Sequence, residues 1–410
     1  MNAPFAYLHG LEQFGIKFGL DNISAIVARL GHPERAFRSV HIAGTNGKGS
    51  VTAMVDSALR AAGHRSARYT SPHLIDLAER FTIDGRPVAR AELADAIVRV
   101  RGAVDDLRAD GTLDAQPTFF EATTAIAFEL FRRAAVEVAV LEVGLGGRLD
   151  ATNVVLPAVT AITSIAFDHQ QYLGTTLRDI AREKAGIIKP GVPVVVGALP
   201  AEADAVIEEI ARNRNTEVIR ASPSAVASHT IGLAGAHQRM NAAVALEILQ
   251  LLDSRGVSVS SAAIEHGLAY PDWPGRIDLR RLADGREALL DAAHNPAGAA
   301  ALASYLHGWH GGQPRLPLVF AAMRDKDLAG MFAALLPEVA SVIVTRATTP
   351  RAAAPDELAA IVRGIDPGKP VIVASTPQEA LDEAWRASRR IVVAGSIFLL
   401  GDVMKLIDAP

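Results

Sequence analysis

The chain has 410 residues, half of them hydrophobic and 21% charged, with a formal net charge of −4 at pH 7 and no cysteine. That length predicts two domains of about 200 residues with real cores, and the mild acidity provides no basic face for nucleic acid. Without cysteine there is no disulfide, no thiolate metal site and no cysteine nucleophile, which suits a reducing compartment.

Residues 1–7 lack the basic and apolar runs of a signal peptide. The longest uncharged stretch, residues 151–167, contains Asn153 and Pro157 and falls short of a membrane span. A cytoplasmic protein with no membrane partner is expected. Residues 39–42 read as a strand, followed by a glycine-rich turn and a helix over 50–62 that Gly63 stops. Apolar runs at 138–143, 158–165 and 192–197 predict strands buried on both faces. Helices fit 202–213 and 241–252. Tyr270-Pro271-Asp272-Trp273-Pro274-Gly275 holds two prolines and a glycine, so it reads as a stiff connector between domains 1–275 and 276–410. Beyond it, strands at 288–292, 318–321, 341–345, 371–374 and 391–394 alternate with helices such as 296–305 and 377–388. Such alternation predicts an α/β chain of parallel sheets with helices on both faces.

The most informative segment is His41-Ile42-Ala43-Gly44-Thr45-Asn46-Gly47-Lys48-Gly49-Ser50. A strand runs into small residues and then a helix, so backbone N–H groups and the helix dipole converge on phosphate oxygens. Lys48 reaches the β and γ phosphates, and Ser50 offers a hydroxyl to Mg2+. The loop is shorter than the common phosphate loop: Ile42 stands where the first glycine belongs, and Gly49 where the hydroxyl residue directly after the lysine belongs. An ordinary strand-to-helix turn with a surface lysine is the bland alternative.

This loop resembles that of the Mur ligase superfamily, and most closely the folylpolyglutamate synthase/dihydrofolate synthase family. Further blocks are similar to that family in the same order: Ser71-Pro72-His73-Leu74, Thr118-Phe119-Phe120-Glu121, residues 142–153, Glu183-Lys184-Ala185-Gly186-Ile187, residues 291–296, Asp325-Lys326-Asp327 and Gly395-Ser396. The resemblance implies a P-loop-type ATPase sheet followed by a smaller Rossmann-like α/β domain. It implies an ATP-dependent ligase joining L-glutamate to dihydropteroate and to reduced folates through an acyl phosphate. Thr45, Asn46, Gly47, Lys48, Gly49, Ser50, Asn241, Arg276 and Asp291 would contact ATP. Ser50, Ser71, Glu142 and His169 would hold Mg2+, with two sites expected. By analogy alone, a monovalent cation such as K+ would assist. Thr118, Phe119, Phe120, Glu121, Leu149, Asp150 and Ala151 would contact the pterin-bearing substrate. Lys184 would be carbamylated, and His294 and Ser396 would serve the glutamate side.

Each residue also has a plainer reading. Glu142 could be a solvated strand-end acid, and His169 a structural histidine, since magnesium prefers oxygen. Lys184 reads as a surface lysine near a helix C-terminus, Asn241 as a helix N-cap, Asp325-Lys326-Asp327 as a solvated charged turn, and Phe119 and Phe120 as core. Nothing demands an oligomer, and a monomer is expected. The nearest rival is a single-activity synthase of the same family. A cell-wall amino-acid ligase is disfavoured by residues 145–153. A P-loop kinase or a nucleotide-binding module without chemistry leaves Glu142, His169, Lys184 and the second domain unexplained. A dehydrogenase is disfavoured because no Gly-x-Gly-x-x-Gly follows the first strand.

Overall fold

The computed structural model describes residues 3–15, 17–310 and 314–408; Met1 and Asn2, part of the stretch read above for a leader, lie outside them. The first sheet contains β1 (Arg38–Ala43), β2 (Ser66–Tyr69), β3 (Phe81–Ile83), β4 (Arg86–Pro87), β5 (Val138–Glu142), β6 (Val159–Ile162), β7 (Val194–Val196) and β8 (Val218–Arg220), in the order β4-β3-β2-β5-β1-β6-β7-β8. From β2 to β8 along that order the pairing is parallel. The edge strands β3 and β4 pair antiparallel. The second sheet contains β9 (Asp278–Arg281), β10 (Glu287–Asp291), β11 (Leu316–Phe320), β12 (Val339–Val344), β13 (Val371–Val373) and β14 (Arg390–Ala394), in the order β13-β12-β11-β14-β10-β9. Only β9 runs antiparallel there.

The expectation of purely parallel sheets is therefore corrected at the edges. The β2–β3–β4 segment and the β9–β10 hairpin are short, and hairpin strands need no crossover helix. The buried runs fared better. β1, β5, β6 and β7 are apolar because neighbours cover both faces. The expected strand at 158–165 ends at Ile162, because residues 163–166 turn back to bind the loop after β1.

β1 lies between β5 and β6, and the chain order reverses direction there. Ligands in such sheets bind outside the carboxyl ends of the strands at that reversal. The helix Lys48–Ala61 packs over β1 and against Ser261–Ala269. This second contact is very close: a methyl on Gly267 would lie 2.4 Å from Ala58 Cβ and 2.6 Å from its backbone nitrogen. The connector lies on the same helix. Trp273 covers Gly49, Arg68 stacks over Trp273 at 5.4 Å, and Ser57 donates to the Tyr270 carbonyl at 3.1 Å.

Gly267→Ala should therefore destabilise the fold by about 1–3 kcal/mol, because backbone atoms of Ala58 cannot yield. Gly102→Ala, on an exposed helical position with open space around it, should instead stabilise by about 0.5–1 kcal/mol. Urea unfolding of the two variants checks both signs.

Candidate active site

The phosphate loop leaves β1 at Ala43. Gly47 takes φ +87° and directly precedes the helix, which begins at Lys48 rather than at residue 50. Lys48, Gly49 and Ser50 thus form its first turn, where backbone N–H groups have no intrahelical partner. Side chains from neighbouring elements leave no room for larger residues: a Cβ on Gly47 would meet Asn241 Oδ1 at 2.4 Å, and one on Gly49 would meet Trp273 at 2.2 Å. The turn after β6 clamps the loop from the other side. Thr45 N donates to Ser164 O at 2.8 Å, Asn46 N to Ser164 Oγ at 2.9 Å, and Thr163 Oγ1 to Asn46 O at 2.6 Å. Thr45 Oγ1 bridges the backbone of Ala166.

Asn241 is not a helix cap. Its helix runs His237–Ser254, so Asn241 lies one turn inside and is buried. Its Nδ2 donates to Gln238 Oε1 at 2.8 Å, and Gln238 Nε2 donates to Ser50 Oγ at 3.3 Å. Asn241 and Ser50 therefore belong to one network.

Glu142 ends β5 and is 6% exposed. One carboxylate oxygen faces Lys48 Nζ at 3.9 Å and the other accepts from Ser71 N at 3.4 Å. Burial raises its pKa, and Lys48 and Arg276 oppose that rise. The reading of Lys184 as a surface cation is overturned. It is 5% exposed, and its Nζ donates to Gly44 O at 2.9 Å. Lys48 Nζ donates to the same carbonyl at 3.1 Å. Desolvation, and then the neighbouring Lys48, lower the Lys184 pKa to about 7.

Thr118 caps the helix Phe119–Arg133. Glu121 Oε2 accepts from Thr118 N at 2.7 Å and Oγ1 at 2.9 Å, while Glu121 N donates back to Thr118 Oγ1 at 3.1 Å. This is a capping box, and the Thr-x-x-Glu spacing signals it in the sequence. Phe120 presses on Gly144, and Arg80 lies over the Phe119 ring at 5.1 Å. Asp150 organises the loop that follows β5. Oδ2 accepts from Leu145 N at 2.9 Å, and Oδ1 from Thr152 N at 3.0 Å and Thr152 Oγ1 at 2.5 Å. His41 completes the chain, with Nε2 at 2.8 Å from Thr152 Oγ1. Since that hydroxyl donates to Asp150, it accepts from His41, and β1 is thereby tied to the loop. Leu149 is half-buried and Ala151 buried beside it.

In the second domain, Arg276 Nη1 donates to the Gly275 carbonyl at 2.9 Å. Asp291 ends β10, and its oxygens accept from Ile277 N and Ala293 N, both at 2.9 Å. Burial raises its pKa, and Arg276 works against the rise. His294 Nδ1 donates to Ala292 O at 2.9 Å, so Nε2 keeps its lone pair in the neutral ring. Ser396 caps the helix Ile397–Ile407 through Phe398 N at 3.1 Å.

The sequence reading overlooked three residues that join the two sheets: Asp168, Asn295 and Lys326. The triplet Asp325-Lys326-Asp327 is not uniformly solvated, because the Lys326 side chain is only 6% exposed. Its Nζ lies 2.5 Å from Asp168 Oδ1 and 3.2 Å from His169 Nε2. Asn295 exchanges amide hydrogen bonds with Asn46 at 3.0 and 3.2 Å and donates to Asp168 Oδ2 at 3.0 Å. A charged triplet alone gives no sign of which member turns inward. An open surface cavity of ≈ 580 Å³, lined by Arg35, Arg38, His64 and Glu137, lies at the opposite, amino-terminal ends of β1 and β5, away from these groups.

Comparison with known proteins identifies the family. Residues 275–397 match the family model described as Mur ligase, glutamate ligase domain. The dihydrofolate synthase/folylpolyglutamate synthase of Bacillus subtilis is 33% identical, the match covering 98% of this chain and 97% of that one. The structure of Mycobacterium tuberculosis folylpolyglutamate synthase complexed with ADP and AMPPCP superposes with a TM-score of 0.89 at 33% identity, over 100% of this chain and 99% of the other. That of E. coli FolC in complex with DHPP and ADP gives 0.86 at 31%, over 98% and 96%. The chain belongs to the dihydrofolate synthase/folylpolyglutamate synthase family, and it is an ATP-dependent ligase of the Mur type.

Proposed function

We propose that the chain joins L-glutamate to dihydropteroate, forming dihydrofolate, and extends reduced folates with further glutamates. In the first step a carboxylate oxygen of the pterin substrate takes the γ-phosphoryl group of ATP and the bond to ADP breaks. In the second, the glutamate amine attacks the acyl carbon, the amide C–N bond forms, and phosphate leaves. The single observation that carries the reading is the pair of lysines on the Gly44 carbonyl, one of them, Lys184, buried with its pKa lowered to about 7. A simple nucleotide-binding turn needs Lys48 but has no use for a second, readily deprotonated amine.

The roles are those that the family resemblance implies, and the positions of the residues support them. Backbone N–H groups of residues 45–50 cradle the phosphates, and Lys48 offsets their charge. Asn241, Arg276 and Asp291 complete the ATP contacts, Arg276 from just beyond the connector at 275/276 that we take as the domain boundary. Phe119, Phe120 and the loop around Leu149, Asp150 and Ala151 border the pterin; Thr118 and Glu121 hold the helix end that presents the two rings. His294, with an open Nε2 acceptor, and Ser396 serve the glutamate amine.

The donors present suit a hard divalent cation: the Glu142 carboxylate and the Ser50 and Ser71 hydroxyls. No group of three His, Asp or Glu side chains able to hold an ion occurs among the described residues. Hydroxyls, His169 and phosphate oxygens would therefore complete two Mg2+ sites. Bound Mg2+ would neutralise phosphate charge and polarise the γ-phosphoryl group. A neutral Lys184 amine can add CO2, and the resulting carbamate replaces a cation with an anion beside that charge. The chain works as a cytoplasmic monomer in this reading, with K+ as an assisting ion. The single-activity alternative has support of its own, because relatives at 32–33% identity carry both the dual and the single name.

ATP should yield ADP and phosphate only when both glutamate and a pterin acceptor are present; stoichiometric AMP and pyrophosphate, read by phosphorus NMR, would contradict the acyl-phosphate route. Lys184→Ala should lower turnover to near background while nucleotide binding persists, with partial rescue by short carboxylic acids. The sign of the pH effect follows from the value near 7. The amine is mostly neutral above that pH and mostly protonated below it, so bicarbonate-dependent activation should fade on acidification through it. Asp150→Ala should release the Leu145 and Thr152 anchors and raise the Michaelis constant for dihydropteroate much more than that for ATP. If the purified protein extends tetrahydrofolates yet makes no dihydrofolate from dihydropteroate, the single-activity reading replaces the dual one.

A further inference from the structure

Asp168 follows β6 at the rim of the first domain and is nearly buried, yet most of its partners come from the second. Lys326, beyond the end of β11, and Asn295, beyond β10, both donate to it, and His294 Nε2 stands 3.6 Å from Oδ2. Asn46 and Asn295 pair beside Asp168, so the domains are latched at the phosphate loop itself.

Lys326 has only donors, so His169 Nε2 accepts from it at 3.2 Å and the ring carries its proton on Nδ1, which is buried without a partner. A nitrogen lone pair cannot serve a lysine proton and a metal ion at once. The remaining lone pair in that ring is absent, because Nδ1 is protonated. We propose that Lys326 is a built-in stand-in cation: it holds the domains together through Asp168 and His169 before a divalent ion arrives, and it must leave His169 when the ion binds. Lys326 is then a positioning residue that couples ion arrival to the seating of the second domain. The exchange half of this rests on the reading of His169 as a metal ligand; the latch half does not.

The cysteine-free chain allows a direct test. Spin labels on cysteines introduced at the exposed positions Arg212 and Arg363, one per domain, report the interdomain distance of the ligand-free protein. With Lys326 intact a single narrow distribution is expected. Lys326→Met, and separately Asp168→Asn, which keeps shape and an acceptor for Asn295, should broaden it. Unchanged distributions in both folded variants would overturn the latch. Mn2+ alone, titrated by electron paramagnetic resonance, reads the exchange. Lys326→Met should bind Mn2+ severalfold more tightly than the parent, and His169→Gln should abolish that gain. Equal or weaker binding in Lys326→Met would overturn the exchange while leaving the metal site in place. No Mn2+ on any form, whether titrated alone or with ADP present, would overturn the exchange together with the assignment of His169 as a metal ligand.

Discussion

The carbonyl oxygen of Gly44 accepts from Lys48 at 3.1 Å and from Lys184 at 2.9 Å, and much of the site is arranged around that convergence of positive charge. Two ammonium groups in a desolvated space repel, and one backbone dipole offsets only part of that. Two outcomes relieve it: one lysine gives up its proton, or an anion enters. Lowering of the Lys184 pKa expresses the first. A polyphosphate in the adjacent glycine cradle expresses the second. Glu142 lies 3.9 Å from Lys48, and burial raises its pKa while Lys48 and Arg276 oppose that rise. The site thus concentrates positive charge beside the glycine cradle.

Such a concentration of charge requires rigid surroundings, and side-chain hydrogen bonds to backbone supply them. Asp150 holds its own loop, Thr118 and Glu121 hold the helix that presents Phe119 and Phe120, and Thr163 and Ser164 hold Asn46. His41 links the first of these groups to the central strand through Thr152. Burial lowers its pKa to about 3, with a further contribution from Lys189, so the ring stays neutral and the polarity of the chain is constant near neutral pH. Such networks rigidify when every bond is made. Here they tie the loop after β5 to β1, the strand from which the phosphate loop leaves.

The second domain contributes from its own strand ends. Asp291, His294 and Asn295 follow β10, Lys326 follows β11 and Ser396 follows β14. In both sheets these side chains therefore follow the carboxyl ends of strands, and the two sets meet through Asn46–Asn295 and Asp168–Lys326. A reaction that transfers a phosphoryl group and then admits an amine suits such a crevice, because each partner can be delivered from a different wall.

The sequence by itself determined the buried parallel strands, the glycine-rich strand-to-helix turn after β1 and the family, because these depend on local patterns such as apolar runs and glycine spacing. It also carried the Thr118–Glu121 capping box, although the motif was read for substrate contact. It could not show that Asn241 lies inside its helix or that Lys184 points inward, since a lysine on an amphipathic helix has the same spacing whichever face is buried. Nor could it single out Asp168, Asn295 and Lys326. Lys326 lies 158 positions from Asp168, and only packing of the two domains brings the charges together. Tertiary structure decided those contacts because burial and charge pairing depend on distance in space, to which separation along the chain is no guide.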